Sequence, residues 1–344
     1  MENYSEIAFN IVNNFLKIYK DMVIVITGEI HNAPDSREPL VEIPLIEELA
    51  VAIRKRNAFP VLEISTQKLK ERFFREIPSE MMKMPPHYYN NWLDSINSFI
   101  EVGWKSLTDE FAVQEDEDYQ RFKKTTSKIW DKIFQQKKKI IFLNFPTWEL
   151  AGYIGADFDQ LRRAYLKAIN CNYNLLNIKS EEYREEYFSF SDYQINSETD
   201  KLLLKLEKDK PALFAADNPI VILPSGFIEF PVIRDSLHGC FQAEKAYFKG
   251  LIQEDVRICF ENGNVRFITF RHQEKGNFRL QNSLINSIDN CFLTIGYNNE
   301  LNQWTNYHFY DRCRIGNISL SFVDRGGRKI TFSCCRAEIR KNKG

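Results

Sequence analysis

Val221-Ile-Leu-Pro-Ser-Gly-Phe-Ile-Glu-Phe-Pro-Val232 reads as a buried strand entering a tight turn, with a second apolar run, Phe227 to Val232, beyond it. Asn290-Cys-Phe-Leu-Thr-Ile-Gly296 has the same form. In a chain of this size such strand-to-turn junctions are where an enzyme sets metal ligands or catalytic groups. Both stretches put phenylalanine there, Phe227 and Phe292.

Upstream of the first stretch the texture is α/β. Ile7, Ala8, Ile11, Val12, Phe15, Leu16 and Tyr19 form the apolar stripe of an amphipathic helix over residues 4–20. Met22-Val-Ile-Val-Ile-Thr27 is β-branched and ends in Gly28, residues 40–56 are helical, and Phe59-Pro-Val-Leu-Glu-Ile64 is a second strand. A strand–helix–strand crossover of this length implies a parallel sheet. Residues 69–104 read as helical with a break at Pro85-Pro86, preceded by the Met81–Met84 cluster, and 114–136 as a charged helix. Lys139 to Phe145 is the next buried strand, Thr147 is placed to cap a helix starting at Trp148, and 156–171 and 198–208 read as helices. Gly28 stands alone in a long acidic loop without G-x-G-x-x-G or Walker spacing, so a nucleotide site is not indicated, and His31 in that loop reads as a solvated side chain.

Downstream of Pro211 short strand-like runs recur between turn signals, with Asn262-Gly263 and Gly326-Gly327 as hairpin turns. The expectation is an α/β N-terminal domain with a largely parallel sheet, residues 1–210, and a β-rich α+β C-terminal domain, residues 211–344. Two domains also suit a length of 344 residues.

Lys and Arg total 46 against 47 Asp and Glu, and no like-charge block exceeds Lys137-Lys138-Lys139, which argues against nucleic acid or a membrane surface as partner. The N-terminus lacks the basic and apolar regions of a signal peptide, and no apolar run approaches the ~20 residues of a membrane span, so the expected location is the cytoplasm. Seven cysteines without C-x-x-C spacing read as reduced and structural, the vicinal Cys334-Cys335 as two faces of one strand.

Metal ligation needs His, Cys, Asp or Glu converging from rigid elements. The strand-turn stretches offer Glu229, Asp235 and Cys291, and the later strand only Ser319 and Ser321. His308 and Asp311, three apart, suit one face of a helix and form the one His–carboxylate neighbourhood. Asp235, Ser236 and His238 crowd into four positions, which is not how a triad is built. No catalytic residue is assigned.

The chain resembles the thermophilic aminopeptidases, the aminopeptidase T and S group of metallopeptidases, and their shorter relatives of the 2,5-dihydroxypyridine dioxygenase type. The likeness lies in the order of short pieces: the strand–helix–strand opening, Phe145-Pro-Thr-Trp-Glu-Leu-Ala151, Leu223-Pro-Ser-Gly226 followed by Asp235-Ser-Leu-His-Gly239, Phe260-Glu-Asn-Gly-Asn-Val265, and Asn290 to Gly296. The resemblance implies an α/β N-terminal domain, a β-rich C-terminal domain, a metal site in the cleft between them, and a homodimer. It places a metal-binding glutamate at Phe227, with Glu229 two residues late; a histidine at Phe292; a tyrosine at Asn299; and a His-x-Asp pair at Ser319 and Ser321.

With these positions changed, the expected protein is a pseudoenzyme without metal or other cofactor. Its cleft, lined by Phe227, Glu229, Phe292, Asn299, Ser319 and Ser321, is expected to bind a peptide or small organic molecule, such as a precursor peptide of a natural-product (RiPP-type) pathway. Two alternatives stand beside it. One is an active metallo-aminopeptidase or ring-cleaving dioxygenase using Glu229, His308 and Asp311 as displaced ligands; the other is a structural partner of an active paralogue.

Overall fold

The structure is a computed structural model that describes residues 3–30, 43–66, 69, 72, 75–77, 86–103, 133, 135–136, 138–198, 200–208, 213–214, 220–248, 251–270, 285–288, 290–323 and 329–342. His31, the Met81–Met84 cluster, nearly all of 114–136 and the Gly326-Gly327 turn lie outside these residues. Contacts divide the chain into two compact units. Met1–Thr147 with Asn218–Leu223 form the first, and Trp148–Asp217 with Pro224–Gly344 the second.

In the first unit helix α1 (Tyr4–Phe9) starts at Asn3, whose side chain accepts from the Glu6 N–H at 3.2 Å, and runs into a π-helical stretch, Asn10–Phe15. The stripe at Ile7, Ala8, Ile11, Val12 and Phe15 is buried as its spacing predicts. Strand β1 (Val23–Ile30), helix α2 (Ile43–Lys55) and strand β2 (Phe59–Thr66) form the crossover, with β1 parallel to β2 from Val23↔Phe59 to Ile30↔Thr66. Helix α3 (Pro86–Ser95), β3 (Ser98–Gly103) and β4 (Lys139–Asn144) follow. With β8 (Ile220–Leu223) they complete a five-stranded sheet of order β2-β1-β3-β4-β8, parallel throughout. β3 lies where helix was expected. Ser98-Phe-Ile-Glu-Val-Gly103 is buried at most positions and so lacks the alternation that marks a half-exposed strand.

The second unit opens with helices α4 (Trp148–Tyr153), α5 (Phe158–Ile169) and α6 (Tyr173–Phe188), the last two capped by Asp157 and Asn172. Strands β5 (Asp192–Ser197) and β6 (Asp200–Leu206) form a hairpin. A helix was expected over 198–208. The leucines there favour one intrinsically, but Leu202, Leu204 and Leu206 are buried in alternation with exposed Lys201 and Lys205, a strand pattern set by pairing with β5. The remaining strands are β7 (Leu213–Phe214), β9 (Phe227–Phe248), β10 (Leu251–Glu261), β11 (Asn264–Phe270), β12 (Asn290–Gly296), β13 (Ile318–Val323), β14 (Lys329–Cys334) and β15 (Glu338–Lys341). All pair antiparallel, and Asn262 and Gly263 take the positive φ that a tight β10–β11 turn demands.

β9 organises this unit. Its first residues pair with β12 and its last with β14, while β12 pairs with β13 and β13 with β14, so the ladder returns to the strand it left. The turn into β9 depends on Gly226, at φ +110°, where a Cβ would stand 2.7 Å from that of Asn298. The cysteines depart from expectation at one pair. Cys240 and Cys259 face each other across β9 and β10 and are joined as a disulfide. The other five are free. Among the described residues no helix is long and apolar enough to cross a membrane.

Candidate functional site

Opposed residues of antiparallel strands project to one face, and so do residues two apart along a strand. Register therefore lays out a patch spanning the ring. Glu229, Thr294, Ser319, Ser333 and Lys245 form one row, and Pro231, Phe292, Ser321, Thr331 and Tyr247 the next. Four of the expected site residues, Glu229, Phe292, Ser319 and Ser321, thus share a face, and Phe227 begins the same set on β9. Asn299 does not join them: it is exposed and accepts from Lys179 of α6 at 2.9 Å, while its neighbour Asn298 is buried and donates to the carbonyls of Ser225 and Ala168.

The face is polar and buried. Ser319 and Ser321 are fully inaccessible, with hydroxyls 2.7 Å from Ser333 and 3.0 Å from Thr331. The segment 304–317 covers part of it. Asn317 donates to Ser319 at 3.1 Å, Lys245 donates to Asn306 at 2.7 Å, and Tyr247 donates to Asp311 at 2.7 Å. Gly296 lets this segment approach, since a Cβ there would meet the carbonyl oxygens of Arg314 and Arg312.

His308 to Asp311 is one helical turn, α7, as the spacing of the two residues suggests. Asp311 is wholly buried and fully engaged. One carboxylate oxygen takes the Tyr247 hydroxyl and the other the backbone N–H and hydroxyl of Thr305, at 2.7 and 2.8 Å. Burial pushes its pKa up, and the hydrogen bonds from Thr305 and Tyr247 oppose that without cancelling it. His308 lies among the rings of Tyr247, Tyr307 and Phe309; burial, with Lys329 and Arg312 nearby, holds its pKa well below the ordinary value, so it is neutral at pH 7.

Glu229 is held by cations and a hydroxyl. Its Oε2 accepts from Lys329 Nζ at 3.1 Å and Thr294 Oγ1 at 3.0 Å. Burial raises the pKa of this carboxyl, but the charges of Lys329 and Arg312 and the two hydrogen bonds outweigh it, and the net shift is downward. Glu229 is therefore ionised at neutral pH.

Among the described residues no three His, Cys, Asp or Glu side chains gather in a way that could hold a metal ion, and the displaced set Glu229, His308 and Asp311 is no exception. What surrounds Glu229 is ammonium, guanidinium and hydroxyl, which compensate a carboxylate without inviting a further cation.

Lys329, Arg312, Thr294, Thr331 and Ser333 were not anticipated. Thr331 and Ser333 alternate with Ile330, Phe332 and Cys334 as Ser319 and Ser321 do with apolar neighbours, a period-two signal of a polar face. Arg312 and Lys329 carry no such signal, because a charge beside a turn reads as solvated. Elsewhere in the unit a polar groove of about 580 Å³ runs along α5 and residues 300–306, with Trp304 in its wall.

The sequence matches no protein-family model and no curated protein. The fold is similar to that of AmpT from Thermus thermophilus, with a TM-score of 0.64 at 11% identity, covering 98% of this chain and 94% of that one. It is also similar to 2,5-dihydroxypyridine dioxygenase from Pseudomonas putida KT2440, with a TM-score of 0.53 at 10% identity, covering 99% and 94%. The expected fold class, a parallel α/β sheet followed by a large antiparallel sheet, is the one observed.

Proposed function

We propose that this chain is a metal-free relative of the aminopeptidase and dioxygenase proteins whose fold it shares, and that it binds a peptide or small organic molecule rather than transforming one. A precursor peptide of a natural-product pathway is one such ligand. The observation that carries the proposal is the state of Glu229, the one acidic side chain on the polar face, whose carboxylate is neutralised by Lys329 and hydrogen-bonded by Thr294. A lysine ammonium at 3.1 Å supplies the positive charge that a metal would otherwise bring. Phe227 and Phe292, both half-buried, offer apolar surface at the margin of this face, the mixture typical of sites for organic ligands.

Elemental mass spectrometry of protein produced in medium supplemented with zinc, cobalt and iron tests the proposal. We expect far less than one metal ion per chain. A stoichiometric, chelator-sensitive metal would overturn it, and turnover of a leucine anilide or a dihydroxypyridine would do so equally.

A further inference from the structure

Arg312 is half-buried; its charge acts on Glu229 from a distance, and among the described residues it makes no direct ion pair. Its guanidinium carbon lies 4.2 Å from the centre of the Phe227 ring and 4.9 Å from that of Phe309. Its Nε is buried and has no hydrogen-bond partner, and Glu229 and His308 lie near enough to feel its charge. Among the described residues no carboxylate comes within ion-pair distance of it. Glu229 is committed to Lys329, and Asp311 turns both oxygens to Tyr247 and Thr305.

Aromatic planes hold a guanidinium in position but satisfy few of its five N–H donors. Leaving such a group part-buried and unpaired is costly, and a planar fork of donors matches a carboxylate better than any other common anion. Lys329, whose side chain is 23% exposed, retains ammonium donors beyond the one given to Glu229.

We propose that Arg312, assisted by Lys329, receives the carboxylate of an organic acid or of a peptide C-terminus, with the apolar part of that molecule against Phe227 and Phe309. This rests on the reading of the chain as a ligand-binding protein and names the chemical class of the ligand.

The probes are N-acetyl-phenylalanine, its amide and inorganic phosphate, titrated calorimetrically into the intact chain. The acid is expected to bind and the amide to bind at least about tenfold more weakly, the loss of a charge-assisted hydrogen bond. Arg312→Gln should abolish the difference between acid and amide, and Arg312→Lys should restore part of it. Equal binding of acid and amide, binding of neither, or phosphate binding more tightly than the acid overturns the assignment. The comparison on the unaltered chain decides the matter even if a variant fails to fold. The broader reading fails on a different measurement, the metal content of the protein.

Discussion

The two faces of the β12–β13–β14 ladder are almost equally inaccessible and chemically opposite. On one, Leu293, Leu320, Phe322, Ile330 and Phe332 are fully buried; on the other, Thr294, Ser319, Ser321, Thr331 and Ser333 are buried nearly as completely. The apolar face follows from the hydrophobic effect alone, and its ring contacts, such as Phe322 with Phe260 at 5.7 Å, are those of an ordinary core. The polar face gains no comparable transfer energy, and each hydroxyl on it must find a partner to avoid a desolvation penalty. The hydroxyls of this face are paired among themselves and with Glu229, whereas Arg312 beside them keeps a buried Nε without a partner.

The largest effect belongs to the apolar face. Phe332→Ala should lower the unfolding free energy by roughly 3–5 kcal/mol in urea denaturation, the range for a fully buried aromatic truncated to alanine. A loss under 1 kcal/mol would mean that this face is not the core of the unit. Next comes Glu229→Gln, which leaves Lys329 without its carboxylate. A loss of about 2 kcal/mol is expected, whereas the double change Glu229→Leu with Lys329→Met should recover most of it. A double variant as unstable as the single one would show that the polar face needs its charges to fold.

The smallest effect is in the pH dependence, and it comes from His308. Its folded pKa is depressed well below the ordinary 6.5, so as pH falls through 6.5 the unfolded chain takes up a proton that the folded one refuses. Its contribution to stability is present above that pH and is lost as pH falls toward the folded pKa. From pH 7 to 5, wild type should lose up to about 2 kcal/mol more than His308→Gln, measured by urea midpoints at each pH. Parallel pH profiles for the two proteins would place His308 in solvent.

Much of this contrast could be read in advance. Ile318-Ser-Leu-Ser-Phe322 alternates as a strand with one polar and one apolar side, and the β1–α2–β2 crossover and the Asn262-Gly263 turn were plain in residue type. β3 was not, because a strand buried on both sides loses the alternation that identifies it. β6 was not, because leucine suits a helix until a neighbouring strand claims it. Glu229, Phe292, Ser319 and Ser321 were named from the resemblance, and it is the strand register that lays them on one face. The pairing of Glu229 with Lys329 joins positions a hundred residues apart, and the isolation of Arg312 depends on where every nearby carboxylate turns, so neither was legible locally.

The ring through β9 bears on how the protein acquires its shape. Phe227 must find Gly296 and Phe248 must find Leu251, a neighbour across a hairpin, and Ile330, which is far along the chain. The hairpin forms early at little entropic cost, whereas closing the ring requires both distant partners to be in hand. Folding of this unit should therefore be slow and governed by the last strand to arrive. Once β14 has docked, none of the ring strands can fray without unfastening its neighbours, and their amide protons should exchange only through opening of the whole ring.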